Sequence, residues 1–439
     1  MSYKIALISL GCPKNLVNSE QMLYLLAESG FELVDDPNGA DAAIVNTCGF
    51  IDSAKSEAIE NILELGELKK AGALKKIIVT GCLSERYKDE IAAELPEIDA
   101  LLGVGSFGEI VDAVRAVMDG GHFSAFGDKN APIEELGRIV STGPGWAYLR
   151  IAEGCSNHCA YCAIPDIRGR FRSRPIENIV DEAAELAAAG YKELILIAQD
   201  VTMYGRDLYH APALSELIRK IAEIDGVEWI RLHYLYPDEF DDELIDTIAS
   251  EPKVVKYLDI PIQHINDSIL RRMNRRGTGE EVRTLLAALR KRIPGVVLRS
   301  SFIVGLPGEG EAEFDQLCRF LAEAKIERAG VFPFSPEDGT PAAEMTDRCS
   351  PEEAVHRAEL VDELQSRIID DYCASRIGKV IRVLCEGYDP DYGLLWGRSE
   401  ADSPEIDGRV LFSGEAAAGD FVNIMITGSD VGDLIGEAI

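Results

Sequence analysis

Through the first hundred residues, short and nearly continuous apolar runs alternate with longer stretches whose apolar positions recur at helical spacing. The runs at Lys4–Leu10, Ala42–Val45 and Lys76–Val79 lack the in-out alternation of a half-exposed strand. They predict strands covered on both faces, hence a parallel α/β sheet. A glycine-rich, weakly patterned stretch from Met118 to Trp146 predicts a linker. A second rhythm follows, with strand candidates at Ala147–Ile151, Glu193–Ala198, Trp229–Leu235, Val255–Ile260, Val296–Ile303 and Ala329–Phe332. Six strands separated by helical segments predict a partial (βα)6 barrel of the triose-phosphate-isomerase (TIM) type, open on one side. Ser350-Pro351-Glu352-Glu353 reads as a helix start, and Val361, Leu364, Ile368 and Tyr372 then keep helical spacing. After Gly378 the pattern shortens to alternating runs at Lys379–Leu384, Leu394–Gly397, Arg409–Phe412, Phe421–Thr427 and Leu434–Ile439, predicting a small, OB-like antiparallel β-barrel. The resulting division is α/β overall, with domains at 1–125, 141–373 and 376–439.

Composition narrows the class. With 46% hydrophobic and 27% charged residues the chain reads as globular, and 439 residues suit about three domains. No apolar run approaches the roughly 18 residues of a membrane span. The opening run has neither a basic segment nor a long apolar core of the secretory kind. A cytoplasmic protein with no membrane partner is expected, and its ten cysteines read as metal ligands or free thiols. The 76 acidic and 44 basic residues leave a formal charge of -32. That field repels nucleic acid and favours a basic partner.

The cysteines carry the chemistry. Each of the first three strand candidates ends at one, Cys12, Cys48 and Cys82, with Gly11, Gly49 and Gly81 beside them. Parallel strands all point one way, so these thiols converge on one sheet edge, where open α/β sheets bind ligands. Three separately buried cysteines are the competing reading. A second trio, Cys155, Cys159 and Cys162, lies in "EGCSNHCAYCAIP" directly after the first barrel strand. Thiolates select zinc, copper(I) or iron-sulfur. Structural zinc fills four positions and usually uses paired C-x2-C ligands, whereas His158 lies between two of these cysteines. A four-iron four-sulfur (4Fe-4S) cluster held by three thiolates leaves one iron open for reaction. The reading from another class is a non-catalytic iron-sulfur or zinc binding module.

The C-x3-C-x2-C spacing, with Tyr161 before the last cysteine, resembles the signature of the radical S-adenosylmethionine (SAM) enzymes. That resemblance implies that Cys155, Cys159 and Cys162 hold a 4Fe-4S cluster whose open iron chelates SAM. It also implies SAM contacts at Tyr161, at Gln199 in "AQDVTMYG" and at Gly305 in "FIVGLPGE". Two departures stand out: the Gly-Gly-Glu of many members is missing at the former, and Glu309 falls one place beyond the usual acidic position in the latter.

The whole chain resembles the methylthiotransferases, on "IPDIRGRFRSRP" (164–175) and "DIPIQHINDSILRRMNRR" (259–276) as well. This implies a second 4Fe-4S cluster on Cys12, Cys48 and Cys82, a terminal TRAM barrel, an external electron donor and a sulfur donor, and no catalytic residues beyond the cluster ligands. "SLGCPKNLVNSE" (9–20) resembles the branch that modifies an aspartate β-carbon of small-subunit ribosomal protein twelve, rather than the branch acting on tRNA adenosine. Charge agrees: residues 376–439 carry 5 basic and 12 acidic side chains, suiting a basic ribosomal protein, free or in the small subunit, better than tRNA. Arg168, Arg170, Arg172 and Arg174, with Arg271, Arg272, Arg275 and Arg276, are basic islands in an acidic chain. Such runs usually form solvated faces, and near strand ends they are also candidates to hold the SAM carboxylate or an acidic substrate group. Cys318, Cys349, Cys373 and Cys385 match no cluster motif, and Cys318 reads as core.

Overall fold

The computed structural model describes residues 3–439, which form two compact units. The first comprises the described part of Met1–Ser141 together with Ala152–Arg172 and Ser335–Ala343. Its sheet contains β1 (Lys4–Ser9), β2 (Glu32–Val34), β3 (Ala42–Thr47), β4 (Lys76–Gly81), β5 (Ala100–Leu102) and β6 (Phe123–Ala125), all parallel, in the order β2-β1-β3-β4-β5-β6. Alternate residues of β3 and β4 face opposite layers. Ala43, Val45, Ile77 and Val79 pack with Ile62 and Leu65 of α2 (Asp52–Lys70). Ala42, Ile44 and Ile78 pack with Met22 and Leu26 of α1 (Pro13–Glu28). Both faces are therefore apolar, which is why these strands read as unbroken hydrophobic runs.

The stretch expected to be a linker contains β6, which pairs in register with β5. At three residues, one residue beyond Gly120 and Gly121, this edge strand is too short to carry a periodic signal. The segment beyond β6 is also fastened down. Glu20, 1% exposed, accepts hydrogen bonds from Arg138 Nη1 (2.9 Å) and from the Ser141 amide (2.7 Å).

The second unit comprises Thr142–Ile151, Ser173–Phe334 and Glu344–Ile439. After β7 (Trp146–Arg150) the chain carries two short strands, β8 (Ala152–Glu153) and β9 (Arg172–Ser173). It then returns to the large sheet with β10 (Glu193–Ile197), β11 (Trp229–Leu232), β12 (Val254–Asp259), β13 (Val297–Val304) and β14 (Arg328–Pro333). The six long strands are parallel and stand side by side in chain order, the topology of a partial (βα)6 barrel. Each crossover between them contains a helix, as parallel neighbours require.

The helix Pro351–Arg376 begins with Ser350 Oγ accepting the Glu353 amide at 3.2 Å, and proline occupies its first turn. Beyond it, β15 (Val380–Asp389), β16 (Leu394–Ser399), β17 (Val410–Ser413), β18 (Phe421–Asp430) and β19 (Asp433–Ala438) close a barrel. Its pairings are antiparallel except β17 with β19. A closed ring of five strands cannot alternate direction throughout, so one parallel pair is required. Cys385 and Cys373 lie in this barrel's core with Val383, Phe412 and Ile424.

A buried charge cluster ties the small barrel to β10 and β11. Glu193 bridges Arg231 and Arg398, each at 2.7 Å, and Arg398 also pairs with Glu386. Arg231 Nη1 donates onward to the Glu400 carbonyl at 2.9 Å. Among the described residues, no helix is long and apolar enough to cross a membrane.

Candidate metal centre

Cys12 precedes the first turn of α1, Cys48 follows β3, and Cys82 opens the short helix α3 (Cys82–Arg86) after β4. Because β1, β3 and β4 are adjacent parallel strands, with Ser9 opposite Asn46 and Thr47 opposite Gly81, all three cysteines emerge on one edge. The approach is close. A β-carbon on Gly11, whose φ is +92°, would lie 2.7 Å from Cys48 Cβ; one on Gly81, at φ +100°, would lie 2.5 Å from both Asn46 Oδ1 and the Thr47 carbonyl.

Asn15 braces these turns. Its Nδ2 donates to the carbonyls of Leu10 and Thr47, each at 2.9 Å, and so ties the segments that lead into Cys12 and Cys48. Asn46 returns the bond by donating to the Asn15 carbonyl at 2.8 Å. The polarity of this edge differs from thiol to thiol. At Cys12 burial disfavours the thiolate, but Lys14, Arg168 and the amides of Asn15 and Lys14 together bring its pKa below the ordinary value. Burial raises Cys48, and pushes Cys82 up to about 11 against the pull of Arg168.

The second trio belongs to the same unit. Cys155 and Cys159 are buried, Cys162 is partly exposed and His158 is exposed. The loop is closed by the Cys155 amide donating to the Gly169 carbonyl and by the Cys162 amide donating to the Cys159 carbonyl, both at 3.0 Å. The Asn157 amide points at Cys155 Sγ from 3.4 Å. From this loop the chain turns into the short helix Ile164–Arg168, and Ala163 and Ile167 pack against Cys82.

Arg168 is where the basic island departs from expectation. It is 2% exposed and donates from Nε to Cys82 Sγ at 3.3 Å, from Nη1 to Asn18 Oδ1 at 3.0 Å and to Glu153 Oε2 at 3.1 Å, and from Nη2 to Asn15 Oδ1. Burial opposes its charge, yet Cys82, Glu153 and Cys12 raise its pKa further. Arg174 and Arg275 are likewise buried, Arg174 against Glu182 and Arg275 over the Tyr236 ring. Arg272 pairs with Asp347, and Arg276 with Asp238 and Glu239. Arg170 and Arg271 are exposed. A run of charges has no period to reveal which members turn inward, so the sequence could not separate these.

Tyr161 is partly buried in the first unit, whereas Gln199, just beyond β10, and Gly305, just beyond β13, belong to the second. The Gly305 amide donates to Glu309 Oε1 at 2.9 Å. Glu309 itself is turned inward, 2.7 Å from Arg357 Nη1 and 3.3 Å from His264 Nε2. Burial disfavours this carboxylate's charge, but His264, the Gly305 amide and Arg357 hold it below the usual range.

Among the described residues, no three His, Cys, Asp or Glu side chains converge on a point as ligands of a single ion would. A cubane has a different requirement, since its thiolates bind separate irons and stand apart. Three soft donors on one sheet edge, with glycines permitting close approach and an arginine beside one sulfur, suit such a cluster in chemistry. The loop with the second trio offers the same donor set.

Residues 149–321 match the Radical SAM superfamily, residues 4–103 the uncharacterized protein family UPF0004, and residues 377–439 the TRAM domain. Similarity to curated proteins runs the full length. The ribosomal protein uS12 methylthiotransferase RimO of Lachnoclostridium phytofermentans is 48% identical over 438 residues, covering 99% of this chain and 100% of the relative. The protein of the same name from Geobacter sulfurreducens is 49% identical over 440 residues, covering 99% and 98%. Among solved structures, the radical S-adenosylmethionine methyltransferase TsrM from Kitasatospora setae, with tryptophan substrate and a SAM analog bound, has a TM-score of 0.58 at 15% identity, over 90% of this chain and 80% of that one. The cobalamin-dependent S-adenosylmethionine radical enzyme OxsB, in its apo form, has a TM-score of 0.53 at 14% identity, over 82% and 56%. At such identities the structural likeness is one of fold.

Proposed function

This chain belongs to the ribosomal protein uS12 methylthiotransferase (RimO) family of radical SAM enzymes, and from that premise we propose that it replaces a hydrogen on the β-carbon of an aspartate in small-subunit ribosomal protein twelve with a methylthio group. The observation that carries the reading is the gathering of Cys12, Cys48 and Cys82 at neighbouring strand ends, in the same unit as the loop of Cys155, Cys159 and Cys162. When bound, two 4Fe-4S clusters and SAM supply a radical able to take hydrogen from an unactivated carbon, together with the methyl group and the sulfur.

The protein's own residues position and shield. Cys155, Cys159 and Cys162 hold the cluster that receives SAM, and Tyr161, Gln199 and Gly305 contact SAM. Gly305 acts through its turn, because its amide is taken by Glu309 and a β-carbon on it would lie 2.5 Å from Ala354 Cβ and 3.1 Å from Cys349 Sγ. Cys12, Cys48 and Cys82 hold the second cluster, in a setting where Asn15 orders the backbone, Cys82 is buried and Cys12 and Cys48 are partly exposed. Electrons and replacement sulfur come from external donors in the cytoplasm. The substrate is a basic protein, which the acidity of residues 376–439 favours over tRNA.

Mass spectrometry of ribosomal protein twelve from cells lacking this chain tests the reading. The expected result is loss of the SCH3-for-H substitution on one aspartate. An unchanged ribosomal protein accompanied by loss of a methylthio group from tRNA adenosine would overturn it.

A further inference from the structure

Arg168 sits at the junction of the two cysteine groups. It lies six residues beyond Cys162, at the end of the short helix that follows the loop, and its Nε is 3.3 Å from Cys82 Sγ. Its Nη2 donates to Asn15 Oδ1, and the Asn15 amide nitrogen holds the carbonyls of Leu10 and Thr47 that lead into Cys12 and Cys48. One guanidinium thus touches the Cys82 sulfur directly and braces the other two turns through a single asparagine. Glu153 and Asn18 fix its remaining donors, and the side chain is 2% exposed. The fork therefore has one orientation, set on four sides.

We infer that Arg168 is a positioning residue that sets the reduction potential of the cluster on Cys12, Cys48 and Cys82 and holds the loop of Cys155, Cys159 and Cys162 against it. The inference rests on the functional reading above. A cluster held by three thiolates gains one negative charge on reduction, and a buried N–H donor on one of its sulfurs favours the more negative state. Arg168 therefore raises the potential. Lysine keeps the charge but loses the fork that reaches Cys82, Asn15 and Glu153 together, so it restores the effect only in part.

The test uses the full chain with Cys155, Cys159 and Cys162 changed to alanine, reconstituted anaerobically, so that the remaining cluster is titrated alone by electron paramagnetic resonance. Arg168→Met in that background is expected to lower the one-electron equilibrium constant for reduction at least tenfold, ~59 mV. Arg168→Lys is expected to fall between the two. An unchanged potential in both variants overturns the role of Arg168 and leaves the cluster assignment intact; absence of iron from the parent chain would instead overturn the assignment itself. Should the methionine variant fail to fold, the parent chain labelled with 15N-arginine decides. A 15N hyperfine coupling to the reduced cluster is expected, and its absence refutes the inference.

Discussion

Replacing Glu193 with glutamine removes one charge from a deeply buried cluster. Glu193 and Arg231 are each 0% exposed, and Arg398 is 2% exposed. In the wild type, two carboxylates (Glu193, Glu386) balance two guanidinium groups (Arg231, Arg398). Glutamine keeps the shape and one acceptor but leaves the cluster with an excess positive charge, and its NH2 group turns a donor toward one of the two arginines, Arg231 or Arg398. At an effective dielectric of about 20, opposite unit charges about 4 Å apart attract by about 4 kcal/mol. Two such attractions are lost; relief of repulsion with Glu386 and the residual amide hydrogen bond return part of this. Breaking a buried pair from one side typically costs about 3–5 kcal/mol, and the lower half of that range is expected here.

Urea unfolding followed by tryptophan fluorescence measures the loss, because Arg398 lies over the Trp146 ring at 5.4 Å and Trp229 packs on Phe421 at 4.6 Å. The transition should move to lower urea with an unchanged slope. The pH dependence supplies an independent check. Burial alone would raise the Glu193 pKa, but Arg398 and Arg231 outweigh it and depress the value. The stabilisation is therefore complete above the unfolded glutamate value of about 4.3 and is lost as pH falls through the lower folded value. Glutamine cannot lose it, so the gap between wild type and variant should narrow in acid. A cost below about 1 kcal/mol at neutral pH, the scale of an exposed pair such as Glu216 with Lys220, would refute the claim that the small barrel is held by buried charge.

Gly81→Ala should destabilise by about 2–4 kcal/mol through combined left-handed strain and overlap with Asn46 and Thr47, whereas Gly120→Ala, at φ +86° in open space, should cost only about 1 kcal/mol; thermal melts of the two distinguish crowding from strain. Changing Cys12, Cys48 and Cys82 together to alanine should lower iron from about eight to about four per chain by colorimetric analysis, as should changing the other trio. Glu309→Gln should cost about 2–4 kcal/mol by denaturant titration, since it strips a buried carboxylate from Arg357 and His264.

Continuity of apolar residues was enough to locate β1, β3 and β4, and the shared direction of parallel strands was enough to bring Cys12, Cys48 and Cys82 to one edge. Those inferences depend on local pattern and strand polarity, which a linear chain displays. The three-residue strands β2, β5 and β6 escaped because they are shorter than any period that could mark them. The partners of Arg168 lie up to 153 residues away in sequence, and the pairing of Glu193 with Arg398 spans 205. Which arginines of a basic run turn inward depends on which carboxylates and thiols the packed chain brings alongside. An ion pair takes its energy from distance and from exclusion of water, and both exist only once the tertiary structure has formed.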